Sequence, residues 1–525
     1  MNYGCPRSID QRWPRSMLAT RRQARLVYVL CILASASMLL LAYSTSSRNS
    51  SGHLSKNTAE LSPQVGNVAE ENRVVSRNIS EIKPKTSSIN RDKTNSFILS
   101  SNKFQAPIYY NCSMVDTSSE LLSMDVPRYN PKFRNPCWYE DLTDYDVYSD
   151  NKFSEYFHSV KSLFIKLTSH WKKKFAEESN PRRLRCLPYF FIAGQPKCGS
   201  TDLYKKLISH PDVMSPPIKE CHWWGKNRYG WRSNYTMSQP FSHYIDLFDG
   251  VANDIETRST GKGTSNIITG DASVSTLWDN DEWWRLKENC GQTEPKYTNA
   301  DYVHHFLPNA KIIIILRDPV DRLWSDYLYF QKTSKSAYDF HMNAAKAISF
   351  HINCTQKYTL TACIYNRTLA NLARVRLRIG IYYAYLENWL NIYPRDQFLV
   401  IRLEDYAVNT RNMMKNVFRF LKLRDLTKAE ADFIIGQPVA NPRRKGDKKY
   451  GTMHESTRKM LEDFYEPYNK RLALLLNDNQ YMWKNKDRTS AGAGNVQKSR
   501  GPDVRSKRSG RYVSKRRQQL KQHNS

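Results

Sequence analysis

The sequence predicts an α/β fold, a P-loop-like parallel sheet flanked by helices. Three observations predict it. Apolar, strand-like runs recur along the chain: YFFIAG from Tyr189, NIITGDAS from Asn266, KIIIILRD from Lys311 and DQFLVIRLED from Asp396. Stretches with helical patterning alternate with them, as expected for strands buried on both faces of a parallel sheet. The first run then enters AGQPKCGSTDLY, residues 193–204, where glycines, a proline and a lysine separate strand from helix.

In chain order, YFFIAG leads into a helix-like run from Thr201, and NIITGDAS is a second short strand. KIIIILRD, rich in Ile, leads into PVDRLWSDYLYF. There Val320, Leu323, Trp324, Tyr327 and Leu328 recur at helical spacing. DQFLVIRLED precedes a helix around Met413–Leu421. No internal repeat is visible.

The 525 residues can hold one large or two ordinary domains, and 40% hydrophobic content with 12% aromatic content supports a substantial core. A formal charge of +30 implies an anionic partner: nucleic acid, an acidic membrane or a polyanionic sugar. The N-terminus narrows the choice. Arg7, Arg12, Arg15, Arg21, Arg22 and Arg25 precede an uncharged run, Leu26–Tyr43. That run is close to the roughly 20 residues a bilayer crossing takes. Arginines on one side put that side in the cytoplasm. A cleaved signal peptide is the competing reading, but the long basic leader and the absence of a clear A-x-A site after the run favour a retained anchor. A short span leans toward the thinner membranes of the early secretory pathway. The remainder then lies in the lumen. N-x-[ST] sequons at Asn49, Asn78, Asn111, Asn234, Asn353 and Asn366 agree. A lumenal location disfavours nucleic acid and favours glycans.

The expected organisation is a cytoplasmic tail (1–25), an anchor (26–43), a disordered stem (44–105), one folded domain (106–483) and a basic disordered tail (484–525). Lumenal cysteines tend to pair. Those beyond the anchor are Cys112, Cys137, Cys186, Cys198, Cys221, Cys290, Cys354 and Cys363, and Cys354–Cys363 is the expected local pair. No C-x-x-C or His/Cys cluster has zinc spacing, so no metal site is indicated.

Gly194 and Gly199 permit a sharp turn from strand to helix. The first helical amides, near Ser200 and Thr201, would form an anion site, with Lys197 adding a full charge. An ordinary turn carrying a solvated lysine would look the same in sequence. A Walker A loop is excluded, because Lys197 precedes Cys198 and Gly199 rather than following a glycine. Further along, Arg317 ends a predicted strand, where open α/β sheets bind ligands, and its fork suits phosphate oxygens. Ser325 on the next helix could reach the same group. Alternatively, Arg317 is held by Asp318 or Asp321 and Ser325 is a surface residue.

Together the segments resemble a known pattern. QPKCGSTDLY resembles the 5′-phosphosulfate loop of sulfotransferases, and LRDPVDRLWSDY their 3′-phosphate motif. YFFIAGQPKCGSTDLY, KECHWW, GDASVSTLWD and LRDPVDRLWSDYLYF look like the N-acetylgalactosamine 4-sulfate 6-O-sulfotransferase branch. NPCWYE and DFYEPYNKRLALLL extend the likeness over about residues 106–483. The resemblance implies a sulfotransferase fold, a single lumenal domain and 3′-phosphoadenosine 5′-phosphosulfate as donor, with no metal required. It places Lys197 beside the oxygen that bridges phosphate and sulfuryl group. Cys198, Gly199, Ser200 and Thr201 would hold the 5′-phosphate, and Arg317 and Ser325 the 3′-phosphate.

Related heparan sulfotransferases carry a similar Lys-Glu-x-His segment, which implies Glu220 as general base. Lys219 and His222 would tune it or bind sugar. An extended backbone there would put Glu220 and His222 on one face. Pairing of Glu220 with Lys219 alone is the plainer alternative. Trp223 and Trp224 could stack on sugar rings, although large aromatics are more often core. The branch has Pro where this chain has Cys221, and Thr where it has Ser200; Ser keeps the hydroxyl. A Cys198–Cys221 disulfide, which would join donor loop to base segment, is not expected. A basic loop, NPRRKGDKKYG at 441–451, carries Arg443, Arg444, Lys445, Lys448 and Lys449, which could close over the donor or attract the acceptor.

The reading implied is a type II Golgi membrane enzyme. It would sulfate the 6-hydroxyl of N-acetylgalactosamine 4-sulfate in chondroitin or dermatan sulfate, with a homodimer left open. Its rivals are a sulfotransferase for another glycan and a non-catalytic, membrane-tethered glycosaminoglycan-binding protein.

Overall fold

The computed structural model describes residues 121–229, 238–259, 265–332 and 334–484. The expected anchor and stem, the basic tail beyond Lys484 and the sequons at Asn49, Asn78, Asn111 and Asn234 lie outside the described residues. Among the described residues no helix is long and apolar enough to cross a membrane.

Among the described residues, seven strands form two sheets. β1 (Cys137–Asp141) and β2 (Arg182–Cys186) pair antiparallel, on either side of a long helix in sequence, α1 (His158–Glu177). The other sheet has β3 (Phe190–Gly194), β4 (Val213–Met214), β5 (Ile268–Asp271), β6 (Lys311–Leu316) and β7 (Phe398–Arg402) in the order β4-β5-β3-β6-β7. Every pairing in it is parallel. The four apolar runs became β3, β5, β6 and β7.

The period-2 geometry of a strand explains why those runs are apolar throughout. Phe190 and Ile192 of β3 and Ile313 and Ile315 of β6 pack on one face. They meet Leu203 and Leu207 of α2 (Ser200–Leu207) and Met414 and Val417 of the helix Thr410–Phe420. Phe191, Ala193, Ile312, Ile314 and Leu316 pack on the other face, against Leu323 and Leu328 of α3 (Pro319–Phe330) and against Trp389 and Tyr465. Each such large apolar side chain contributes about 1.5–3 kcal/mol by leaving water. A polar residue anywhere in β3 or β6 would therefore cost stability whichever face it served.

The chain leaves β3, builds β4 and β5 on one side, and then crosses to β6 and β7 on the other. β3 thus marks the switch point, and the crevice beyond its carboxyl end is where such sheets bind ligands. Disulfides brace the periphery. Cys137–Cys186 joins paired positions of β1 and β2, and Cys354–Cys363 closes the expected local loop. Cys290 is disulfide-bonded as well.

Candidate active site

At the end of β3 the Gln195 N–H still donates to the Ile315 carbonyl of β6, at 2.9 Å. The backbone then leaves the sheet. Lys197 takes φ 67° and Gly199 φ 92°, the left-handed region, and α2 begins at Ser200. A side chain at Gly199 would also collide with Leu403, whose Cδ1 lies 2.7 Å from where its Cβ would stand. This turn leaves the N–H groups of Lys197, Cys198, Gly199, Ser200 and Thr201 without hydrogen-bond partners among the described residues. Consecutive unpaired amides at a helix start are an anion-binding concavity.

Cations gather around it. The Lys197 ammonium lies 3.6 Å from the ring centre of Tyr329, and the Arg444 guanidinium 4.4 Å from the same ring. Burial pushes the Lys197 ammonium down from 10.5 to about 8; Asp326 opposes this, and Arg444, Arg317 and Arg376 reinforce it. The charge of Arg317 therefore reaches Lys197. Neither makes a side-chain hydrogen bond or ion pair among the described residues, and Ser325 makes none either. The two acids that could have held Arg317 are engaged elsewhere. Asp318 caps α3, accepting from the Val320 and Asp321 N–H groups at 2.8 and 3.3 Å. Asp321 pairs with Arg458 at 2.7 Å. The Arg317 carbonyl is fixed by the Tyr382 hydroxyl at 2.8 Å.

The Cys198 side chain is fully buried, in the apolar layer of β3 and α2, so only its backbone faces the turn. Burial raises its thiol to about 12, which keeps it protonated and inert.

The base segment lies beyond β5, the neighbour of β3. It is not extended: Glu220 and His222 both sit in the left-handed region, at φ 66° and 55°. Their side chains still converge, with His222 Nε2 3.6 Å from Glu220 Oε2. Lys219 pairs with the other oxygen, Oε1. The segment is braced from the end of β5. Ser273 Oγ accepts the His222 backbone N–H at 3.0 Å, and Ser275 Oγ lies 2.6 Å from His222 Nδ1. Burial raises the Glu220 carboxyl, but the His222 hydrogen bond and the Lys219 charge outweigh it and bring it down to about 2. Cys221 and Cys198 are both free and buried, so no disulfide joins the two segments. Trp223 and Trp224 are core, packed on Phe241 and Tyr244.

The basic loop divides by residue. Asp447 is buried against Lys335 at 2.9 Å, and Arg443 donates to the Asp447 and Gly451 carbonyls, so these residues hold the loop in place. Arg444 alone among the five expected cations reaches the Lys197 crevice by a described contact. Sequence reasoning missed Tyr329, Ser273 and Ser275. Tyr329 could have been found, since it follows Ser325 by one helical turn.

The parallel α/β architecture, with an amide-lined turn and unpaired cations at its switch point, makes a candidate site for an anionic ligand. Residues 188–427 match the Sulfotransferase family. Carbohydrate sulfotransferase 15 of Homo sapiens is 42% identical over 377 residues, covering 69% of this chain and 67% of that protein. The bifunctional heparan sulfate N-deacetylase/N-sulfotransferase of Drosophila melanogaster is 26% identical over 57% of this chain and 27% of its own length. Among solved structures, a sulfotransferase from Alicyclobacillus acidocaldarius is 24% identical, with a TM-score of 0.39, over 57% of this chain and 100% of that one. The chain belongs to the carbohydrate sulfotransferase family and is an enzyme of that class.

Proposed function

We propose that this enzyme transfers sulfate from 3′-phosphoadenosine 5′-phosphosulfate to the 6-hydroxyl of N-acetylgalactosamine 4-sulfate in chondroitin or dermatan sulfate, giving the 4,6-disulfated unit. The observation that carries the reading is the row of unpaired amides at residues 197–201, with Lys197 on the same turn and the Arg317 charge acting on it, both cations lacking a described hydrogen-bond or ion-pair partner. Such a site suits a ligand bearing separate anionic groups. The motif resemblance supplies the donor and the acceptor, and the relatives support the carbohydrate sulfotransferase class.

When bound, the donor supplies a sulfuryl group joined through oxygen to its 5′-phosphate. The amides of residues 197–201 and the hydroxyls of Ser200 and Thr201 would hold that phosphate, and Arg317 and Ser325 the 3′-phosphate. Lys197 would stabilise the charge that grows on the bridging oxygen as the O–S bond breaks. Glu220 would take the proton from the acceptor hydroxyl, whose oxygen forms the new O–S bond, and His222 would orient Glu220. No step requires a metal.

The proposal extends to the whole chain: a type II Golgi protein with its anchor at 26–43, a stem at 44–105, a lumenal catalytic domain at 106–483 and a basic tail at 484–525. The positive surface would steer the acidic polymer inward. Labelled sulfate transfer to a chondroitin panel, followed by disaccharide analysis, tests donor, activity and regiochemistry together. Label should accumulate in the 4,6-disulfated unit. Label in a different position would reassign the acceptor, and transfer to no glycan would favour the non-catalytic tether.

A further inference from the structure

We propose that Lys219 reads the 4-sulfate of the acceptor, and that this contact releases Glu220 to act as base. The inference rests on the reading of Glu220 as the base and of a 4-sulfated sugar as the acceptor.

Both oxygens of the Glu220 carboxylate are engaged before substrate arrives. Lys219 holds Oε1, and His222 Nε2 stands 3.6 Å from Oε2. A carboxylate gripped in this way is ionised but is a weak proton acceptor. Catalysis by Glu220 is more effective if one of these groups lets go.

The surroundings decide which one. His222 is fixed by its ring, against Ser275 Oγ at 2.6 Å, and by its backbone, on Ser273 Oγ at 3.0 Å. Lys219 has no such brace. Apart from Glu220, its ammonium reaches the Ala272 carbonyl only at 3.5 Å and lies 5.9 Å from the Tyr204 ring. Its side chain remains partly accessible, as does that of Glu220. An ammonium offers three donors on a flexible stem, so Lys219 can turn toward a new anion without rebuilding the site.

A sulfate ester is the anion that fits. It is permanently charged, so it competes for the ammonium at any physiological pH. On a hexosamine the 4-oxygen is borne by the ring carbon next to the one that carries the 6-hydroxymethyl group. An acceptor that presents its 6-hydroxyl to Glu220 therefore presents a 4-sulfate to Lys219. Transfer of the ammonium from carboxylate to sulfate conserves one ion pair and frees Oε1, and the basicity of Glu220 rises. An unsulfated sugar has nothing to draw Lys219 away. Binding energy from the 4-sulfate is thus spent on the reacting centre, and the discrimination appears in kcat rather than in KM alone.

The groups facing Glu220 are Lys219 and His222 on its own segment. Asp271, Ser273 and Ser275 at the end of β5 brace that segment, and Tyr204 of α2 lies beside Lys219. The experiment compares the full chain with its Lys219→Gln and Lys219→Arg variants on chondroitin 4-sulfate and on desulfated chondroitin. The wild type should prefer the sulfated polymer. Lys219→Gln should lose about 10- to 100-fold in kcat/KM on chondroitin 4-sulfate, as expected for a lost charge-assisted contact. It should gain activity on desulfated chondroitin, because its base is permanently unclamped, so the preference collapses. Lys219→Arg should keep the preference. Binding of 3′-phosphoadenosine 5′-phosphate, measured by calorimetry, should be unchanged in all three proteins. Retention of the wild-type preference by Lys219→Gln, or an equal loss on both polymers, overturns the inference while leaving the proposed function intact. A wild type that does not sulfate chondroitin 4-sulfate, or an active Glu220→Gln variant, sinks the reading on which the inference stands.

Discussion

The two halves of the site are built on opposite electrostatic plans. Around the turn after β3, charges are left without partners: Lys197 and Arg317 face inward with no described ion pair, beside five unpaired amides. Beyond β5 the polar groups are closed on one another, Lys219 to Glu220 and His222 to Glu220 and Ser275. The first arrangement raises the free energy of the empty protein and awaits an anion. The second is satisfied at rest and must be opened. A donor site can be standing because its ligand is always the same polyanion. An acceptor site that is latent can make its activation conditional on the correct sugar.

Lys197→Ala should break the contrast most severely. Removing the charge opposite the leaving oxygen should lower transfer by ~10³–10⁵-fold, the scale of other cations that stabilise a transferring group. Retention of the variant on immobilised chondroitin sulfate should match the wild type, because polymer attraction is spread over the whole basic surface. If transfer survives within a few-fold, the donor end has been misread.

Glu220→Gln should follow, with transfer lower by ~10²–10⁴-fold, the range for a positioned base. Calorimetry should show nucleotide affinity untouched. A fall in nucleotide affinity would merge the two halves and dissolve the contrast drawn between them.

The sign of a pH effect also separates them. Lys197 is held down to about 8 by burial and by Arg444, Arg317 and Arg376, against the pull of Asp326. Its cation is present below that pH and is lost as pH rises through it. Affinity for 3′-phosphoadenosine 5′-phosphate should therefore weaken from about pH 8 upward, well before an ordinary lysine, at 10.5, would titrate. Arg444→Gln removes one of the repelling cations, so the alkaline limb should move to higher pH. Glu220, brought down to about 2, contributes nothing to that limb. An unchanged limb in the variant would show that Arg444 does not face Lys197 in solution.

The same contrast marks what could be read in the sequence. β3, β5, β6 and β7 were legible because burial on both faces leaves an apolar run, and the donor turn because glycine, lysine and two hydroxyls sit between strand and helix. β1 and β2 were not legible. In β2 the buried positions include Arg183 and Arg185, which reach Asp246, Asp249 and Glu140 across the fold. A strand stabilised by buried ion pairs carries no hydrophobic signature. β4 is two residues long and too short for any pattern. At the acceptor end, an extended backbone would have brought Glu220 and His222 together by simple alternation. The chain does it instead with two left-handed residues, held by Ser273 from a segment some fifty positions away. Local spacing cannot report a brace of that kind. Cys198 shows the same limit in reverse: the motif located the loop correctly, but only packing could reveal that this side chain faces the core.

Ser275→Ala gives the smallest effect and the finest test. Ser275 is 3% exposed, and its Oγ lies 2.6 Å from His222 Nδ1. Its loss leaves a half-buried ring nitrogen without that partner and frees the imidazole to rotate away from Glu220. One neutral hydrogen bond is worth about 0.5–1.5 kcal/mol, so kcat should fall by roughly 2- to 10-fold. Donor KM should not move, since no described contact of Ser275 reaches the turn after β3. Thermal unfolding of the variant distinguishes simple destabilisation from misorientation. If misorientation is the cause, the loss of kcat persists at temperatures far below the melting point, and Ser275→Thr, which keeps the hydroxyl, recovers most of it. A change in donor KM would mean that the two ends communicate, through paired Asp271 and Phe191 of β5 and β3 or through Tyr204 of α2 beside Lys219.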